Sequence, residues 1–205
     1  MNYLENGNVE CSNKLILAHG AGAAMDSPFM DYFAEKLGSD GCHVIRFEFP
    51  YMQIRREQGG RRPPDRQPKL LDCWRQLIEE FGPAENLIVG GKSMGGRMAS
   101  LLADECNVRG LVCLGYPFYG FGKPDKPRVE HLENIKTPTL IVQGTRDTMG
   151  NQESVAGYAL SPEIEVKWMA DGDHSFKPRK TSGLTEQGNW DNACSAVIDF
   201  MNGLT

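Results

Sequence analysis

A chain of 205 residues, 40% of them hydrophobic and 24% charged, is long enough to bury one sizeable core and too short for two, so a single domain over 1–205 is expected. Its formal net charge of −5 argues against general binding to nucleic acid or anionic membranes. No apolar run approaches the roughly 18 residues of a spanning helix, and the amino terminus has neither a basic flank nor an apolar stretch, which makes the cytoplasm the expected compartment. Six widely spaced cysteines without a C-x-x-C pair read as reduced, mostly buried thiols.

Residues 14–18 form a continuous apolar run, the pattern of a strand covered on both faces, and end in His19-Gly20-Ala21-Gly22-Ala23. A helix is predicted over 27–37, with Ser27 as N-cap, Pro28 at the first helical position and Gly38 as its stop. A second strand covers 43–49 and is closed by Pro50. From 51 to 69 six cations face two acids, a local charge of +4, and Gly59-Gly60 and Pro63-Pro64 interrupt the run. This segment reads as a long basic loop, either a solvated surface or an attractor of acidic substrates. A helix over 70–81 carries Leu71, Trp74, Leu77, Ile78 and Phe81 on one face and stops at Gly82-Pro83.

The apolar run from Leu87 then enters Gly91-Lys92-Ser93-Met94-Gly95-Gly96-Arg97 and a small-residue helical pattern reaching Ala103: strand, sharp turn, helix. Strands follow at 108–114 and 139–143, joined by some 24 aromatic and proline-rich residues, then a short helix at 153–160, an alternating edge strand at 163–168 and a terminal helix at 189–202. Strands alternating with helices imply an α/β fold, a mostly parallel sheet of about six or seven strands with helices on both faces. The 24-residue connection leaves no room for a helical cap, so the site should be open.

In such sheets reactive residues gather beyond the carboxyl ends of the strands. Ser93 sits at the apex of a G-x-S-x-G turn, Asp147 follows the 139–143 strand and His174 follows the 163–168 strand, giving the chain order serine, acid, histidine. A serine hydroxyl becomes a nucleophile when a neutral imidazole accepts its proton, and a carboxylate holds that imidazole in one tautomer. The oxyanion of the tetrahedral intermediate needs preorganised donors, for which the N–H of Met94 and that of Ala21 or Gly22 are the candidates. Asp147 has bland alternatives, a turn or a salt bridge with Arg146; Asp171 and Asp173 suit capping, and Asp125 is a second choice for the acid. His174 has its own, a solvated loop residue. His19 is expected to shape the oxyanion loop, His43 and His131 to be structural, and four histidines without paired spacing suggest no metal site. Tyr116, Phe118, Tyr119 and Phe121 either wall an acyl or aromatic pocket or pack on one another.

With His19-Gly20-Ala21-Gly22, Gly91-Lys92-Ser93-Met94-Gly95-Gly96-Arg97, Gly144-Thr145-Arg146-Asp147 and Asp171-Gly172-Asp173-His174-Ser175-Phe176 in view, the chain resembles the α/β-hydrolase superfamily. Together these motifs are similar to a compact subgroup of predicted bacterial hydrolases, distantly similar to dienelactone hydrolases and to the hydrolase-like domain of a testis-expressed animal protein. Dienelactone hydrolases use a cysteine where this chain has Ser93, so their lactone chemistry is not implied. The resemblance implies a cofactor-free serine hydrolase, here expected to act on a small-molecule ester or thioester through an acyl-enzyme. The alternative is a hydrolase-fold binding protein with an idle triad. Protonation of His174 is expected to stop activity below roughly pH 6.5.

Overall fold

The computed structural model describes residues 2–204. Its strands are β1 (Tyr3–Asn6), β2 (Lys14–Ala18), β3 (His43–Phe47), β4 (Leu87–Lys92), β5 (Gly110–Leu114), β6 (Tyr119–Gly120), β7 (Lys123–Pro127), β8 (Thr139–Gly144) and β9 (Ile164–Met169). Seven of them make one sheet in the order β1-β3-β2-β4-β5-β8-β9, parallel except for β1, and β6 and β7 pair as a separate antiparallel hairpin. The helices are α1 (Pro28–Ser39), α2 (Pro50–Gln58), α3 (Gln67–Phe81), α4 (Met94–Ser100), α5 (Ala103–Cys106), α6 (Gln152–Val155) and α7 (Glu186–Gly203).

The two-residue repeat of a strand divides the core into two layers. Leu15, Leu17, Ile88, Val112, Leu114, Leu140 and Val142 face α1 and α7, where Phe33, Leu37, Val197 and Met201 meet them. Ile16, Ala18, Ile45, Phe47, Val89, Leu111 and Ile141 face the other side, against Trp74 and Leu77 of α3 and Met98 and Ala99 of α4. Burying each of these large side chains stabilises the fold by roughly 1.5–3 kcal/mol. Both faces of the central strands are therefore apolar, which is why they read as unbroken hydrophobic runs.

The structure departs from the sequence reading in several places. Residues 51–69 are not one loop: Pro50 opens α2 rather than ending a strand, and α3 begins at Gln67. A proline at the first helical position loses no helical hydrogen bond, and Tyr51 and Met52 anchor the helix by burial. Arg56 reaches from α2 to the fully buried carboxylate of Glu48 and to Asp26, and Lys69 pairs with Asp65, so two of the six cations are ion-paired. Gly38 does not stop α1, which continues to Ser39; a Cβ there would lie 2.9 Å from the backbone nitrogen of Gly7, so close packing accounts for the glycine. Ser27 stands at the cap position without a side-chain bond. The helix after Ser93 breaks into α4 and α5, and the one expected at 153–160 is the single turn α6, capped by the Asn151 side chain. β1 is largely exposed, Tyr3 and Leu4 included, and carries no buried face for a strand pattern to reveal.

Between β5 and β8 the chain makes the β6–β7 hairpin and a 3-10 turn at Glu130–Glu133, with no helical cap. No disulfide joins any of the six cysteines, four of which are buried. Among the described residues no helix is long and apolar enough to cross a membrane.

Candidate active site

Three strand ends on one edge of the sheet carry the site. Ser93 follows β4 in a tight turn, with φ 52° and ψ −114°. For a residue with a side chain such a backbone costs roughly 1–3 kcal/mol; hydrogen bonds from its N–H to Leu114 O and from Arg97 N–H to its own carbonyl, both 3.0 Å, hold it there. The flanking glycines are obligatory: a Cβ on Gly95 would lie 2.6 Å from the His19 carbonyl oxygen, and one on Gly91 2.5 Å from that of Ala18. Asp147 and His174 follow β8 and β9.

The structure brings the three together. Ser93 Oγ lies 2.8 Å from His174 Nε2, and His174 Nδ1 lies 2.7 Å from Asp147 Oδ2. Asp147 is fully buried, and besides the imidazole it accepts from the Gln143 side-chain amide at 2.8 Å and from Met149 N–H at 2.8 Å. Three donors hold the carboxylate in one orientation, so Nδ1 carries the imidazole proton and Nε2 is left to accept from the serine hydroxyl. The other acids are engaged elsewhere. Arg146 bonds to Asp171 rather than Asp147. Asp173 accepts from Ser175 and Lys177 N–H within the His174 loop, and Asp125 lies on the exposed hairpin strand β7.

Above Ser93 the loop after β2 is held by its carbonyls. His19 is buried; its Nδ1–H donates to Gly20 O at 2.6 Å and its Nε2 accepts from Phe49 N–H at 3.1 Å. The Tyr51 hydroxyl reaches Ala21 O at 3.0 Å, with Gly20 O at 3.3 Å, and Arg55 donates to Gly22 O at 3.0 Å. In a planar trans peptide the N–H points opposite to the C=O. Fixing the carbonyls of Gly20 and Ala21 on the α2 side therefore turns the N–H groups of Ala21 and Gly22 away from α2. Neither makes a hydrogen bond among the described residues, nor does Met94 N–H at the start of α4.

A cleft of about 730 Å³ opens over these groups, lined by the 20–23 loop, Ser93, Met94 and His174. Tyr116 and Phe118 do not line it, contrary to one of the sequence readings. Both are fully buried and pack on each other with ring centroids 4.9 Å apart, the Tyr116 hydroxyl donating to Arg128 O. The intervening Pro117 and the exposed Phe121 face the cleft instead.

A sequence model of the family described as alpha/beta hydrolase domain matches residues 11–202. The chain belongs to the alpha/beta hydrolase family. In fold this hydrolase is similar to an alpha-beta serine hydrolase homologue from Coxiella burnetii, with 18% identity, a TM-score of 0.70, and 96% of this chain and 88% of that one covered. It is also similar to a lidless a/b serine hydrolase from Xanthomonas campestris, with 16% identity, a TM-score of 0.69 and coverage of 98% and 87%. A monoacylglycerol lipase from Paleococcus ferrophilus matches with 15% identity, a TM-score of 0.70 and coverage of 98% and 97%.

Burial lowers the pKa of His174 below the usual imidazole value; the hydrogen bond it donates to Asp147 opposes this and the charge of Lys92 adds to it. Lys92, the residue before the serine, is buried with its ammonium donating to the His174 carbonyl and lying 5.3 Å from the centre of the Phe29 ring. Burial pushes its pKa down to about 8, against the attraction of Asp147 and Asp173. Sequence reasoning singled out the triad, the loop and His19 but passed over Lys92, Tyr51, Arg55 and Gln143. Only Lys92 had a local signal, a lysine at the carboxyl end of an otherwise apolar strand.

Proposed function

We propose that the protein is a serine hydrolase acting on a small ester or thioester through an acyl-enzyme, with residues 1–205 as one domain working in the cytoplasm. The observation that carries this reading is the unbroken pair of hydrogen bonds, 2.8 and 2.7 Å, from the Ser93 hydroxyl through His174 to Asp147. Ser93 Oγ attacks the carbonyl carbon while its proton passes to His174 Nε2, and the oxyanion is met by Met94 N–H and by that of Ala21 or Gly22. Collapse of the intermediate breaks the bond to the leaving oxygen or sulfur, which takes the proton back from His174. Water then attacks the acyl group on Ser93 with His174 again as base, releasing the acid and restoring the hydroxyl. Asp147 holds the imidazole tautomer and stabilises the imidazolium without taking the proton.

A fluorophosphonate probe and a series of p-nitrophenyl esters from acetate to octanoate test the proposal. The native protein should label and turn over esters, and Ser93→Ala should abolish both, with a loss of kcat/KM of at least 10³. Labelling that survives the substitution removes Ser93 as nucleophile. Native turnover no faster than that of Ser93→Ala across the series would instead support an idle triad in a binding protein.

A further inference from the structure

Three cationic side chains line the cleft over Ser93: Lys92, Arg97 and Arg128. Lys92 is occupied by the His174 carbonyl. The two arginines are not occupied at all: among the described residues neither guanidinium makes a hydrogen bond or an ion pair, and Nε of Arg97 is shielded from solvent without an acceptor. Arg46 and Arg109 also have an Nε without an acceptor, but their guanidiniums, like those of Arg56, Arg75, Arg146 and Arg179, donate elsewhere to carboxylates, amide oxygens or backbone carbonyls; Arg61 and Arg66, without a side-chain partner, are exposed to solvent and away from the cleft. An unpartnered buried donor is destabilising, more so when it is charged, so the arrangement calls for a ligand.

Position points to the same conclusion. Arg97 stands one helical turn from Ser93, about 5–6 Å along α4, its N–H bonded to the Ser93 carbonyl. Arg128 reaches the cleft from the point where the chain leaves β7; its N–H bonds to Phe118 O at 2.7 Å and its guanidinium lies beside Gly120. Burial destabilises the charge of Arg97, the Tyr116 hydroxyl partly offsets this, and the charge of Arg128 adds to the penalty. The acid that lines the cleft, Asp65, is already held by Tyr51 N–H and Lys69. Two like charges, one of them half-buried, converge with no counterion, and an anion between them relieves both the repulsion and the unmet donors. The fork of a guanidinium matches the two oxygens of a carboxylate.

We propose that Arg97 and Arg128 bind a carboxylate on the substrate, so that the ester cleaved at Ser93 is an acid-bearing one, with the carboxylate a few methylenes from the scissile carbonyl. This rests on the hydrolase reading, and it narrows that reading to anionic esters. Phe121, Met94 and Met98 supply apolar walls for the methylene spacer.

The test compares mono-p-nitrophenyl adipate with p-nitrophenyl hexanoate, which carries a methyl where the adipate ester carries its carboxylate. The native protein should favour the adipate ester in kcat/KM by tenfold or more at low ionic strength, and added salt should erode the preference. The ratio should fall to about one in Arg97→Gln and in Arg128→Gln, and below one in the exposed Arg128→Glu. Both esters are measured on the same preparation, so loss of folded protein cancels in the ratio. A purely structural role for Arg97 would slow both esters alike and leave the ratio unchanged, which overturns the proposal, as does a native ratio near one. If neither ester is turned over, the hydrolase reading fails separately. Calorimetric titration of adipate into Ser93→Ala then decides the anion site, binding at least tenfold tighter than to Ser93→Ala/Arg97→Gln supporting it and equal binding refuting it.

Discussion

At the scale of single residues, the chemistry of the site depends on what surrounds one imidazole. His174 is about a quarter exposed, with 23% of its side chain accessible, while Asp147 behind it has none. Burial depresses the His174 pKa and the Lys92 ammonium depresses it further, so the base stays neutral to a lower pH than a free imidazole would. The acid limb of kcat/KM on a neutral ester is therefore expected below pH 6.5, the ordinary imidazole value, rather than at it. Lys92 itself, with a pKa of about 8, is charged throughout that range. Replacing it removes a repulsive neighbour, so in Lys92→Met the His174 pKa should rise and the acid limb move to higher pH. A limb that stays in place or moves down would show that Lys92 does not act on the imidazole through its charge. The triad was legible in the sequence because each member follows a strand within a short motif. The state of Lys92 and of the Arg97–Arg128 pair was not, since it depends on which carboxylates and carbonyls the fold brings within reach of them.

At the scale of elements, α2 acts on the site through the loop after β2. Glu48 is fully buried at its base, and Arg56 ties that carboxylate to Asp26, so the helix has a fixed seat. From it Tyr51 and Arg55 hold the carbonyls of Ala21 and Gly22. Tyr51→Phe leaves the Ala21 carbonyl without its partner and frees that peptide to rotate, and the Gly22 N–H rotates with it. Loss of an oxyanion donor costs roughly 2.7–4 kcal/mol and a misaimed one less, so kcat should fall about tenfold with little change in KM. An unaltered kcat would mean that the loop keeps its geometry without the hydroxyl. None of this was legible in the sequence, where 51–69 read as a basic loop. The alternating glycines, prolines and arginines mask a nine-residue helix that is stabilised by tertiary pairing rather than by propensity. The central strands, buried on both faces, were legible for the opposite reason, as were α1, α3 and α7, each with an apolar face against the sheet. β1 escaped because an exposed edge strand carries no such pattern.

At the scale of the molecule, the same burial that tunes the site makes the fold sensitive to acid. Burial holds three of the four histidines below the ordinary imidazole value: His19 in the loop after β2, His174, and His131, whose pKa falls to about 4. His131 lies in the 3-10 turn at Glu130–Glu133, its Nε2 2.8 Å from Ser100 Oγ, and the charge of Arg97 adds to the effect of its burial. In the unfolded chain all three take up protons near pH 6.5, while in the folded one they resist doing so. Between pH 6.5 and about 4 the unfolded state therefore binds more protons, and stability must fall as the pH falls, by up to about 1.4 kcal/mol per pH unit for each histidine. For His131 alone, allowing for solvent screening of a partly exposed ring, the loss by pH 4 is on the order of 2 kcal/mol. Urea unfolding at pH 7.5, 6.5, 5.5 and 4.5 should show a midpoint that is steady down to pH 6.5 and then drops. His131→Gln should make that drop shallower, because a side chain that never titrates takes its proton out of the difference. A midpoint constant from pH 7.5 to 4.5 would mean that these imidazoles are protonated in the folded protein as readily as in the unfolded chain. His174 Nε2 would then carry a proton over most of that range and could only donate to Ser93 Oγ, not accept its proton.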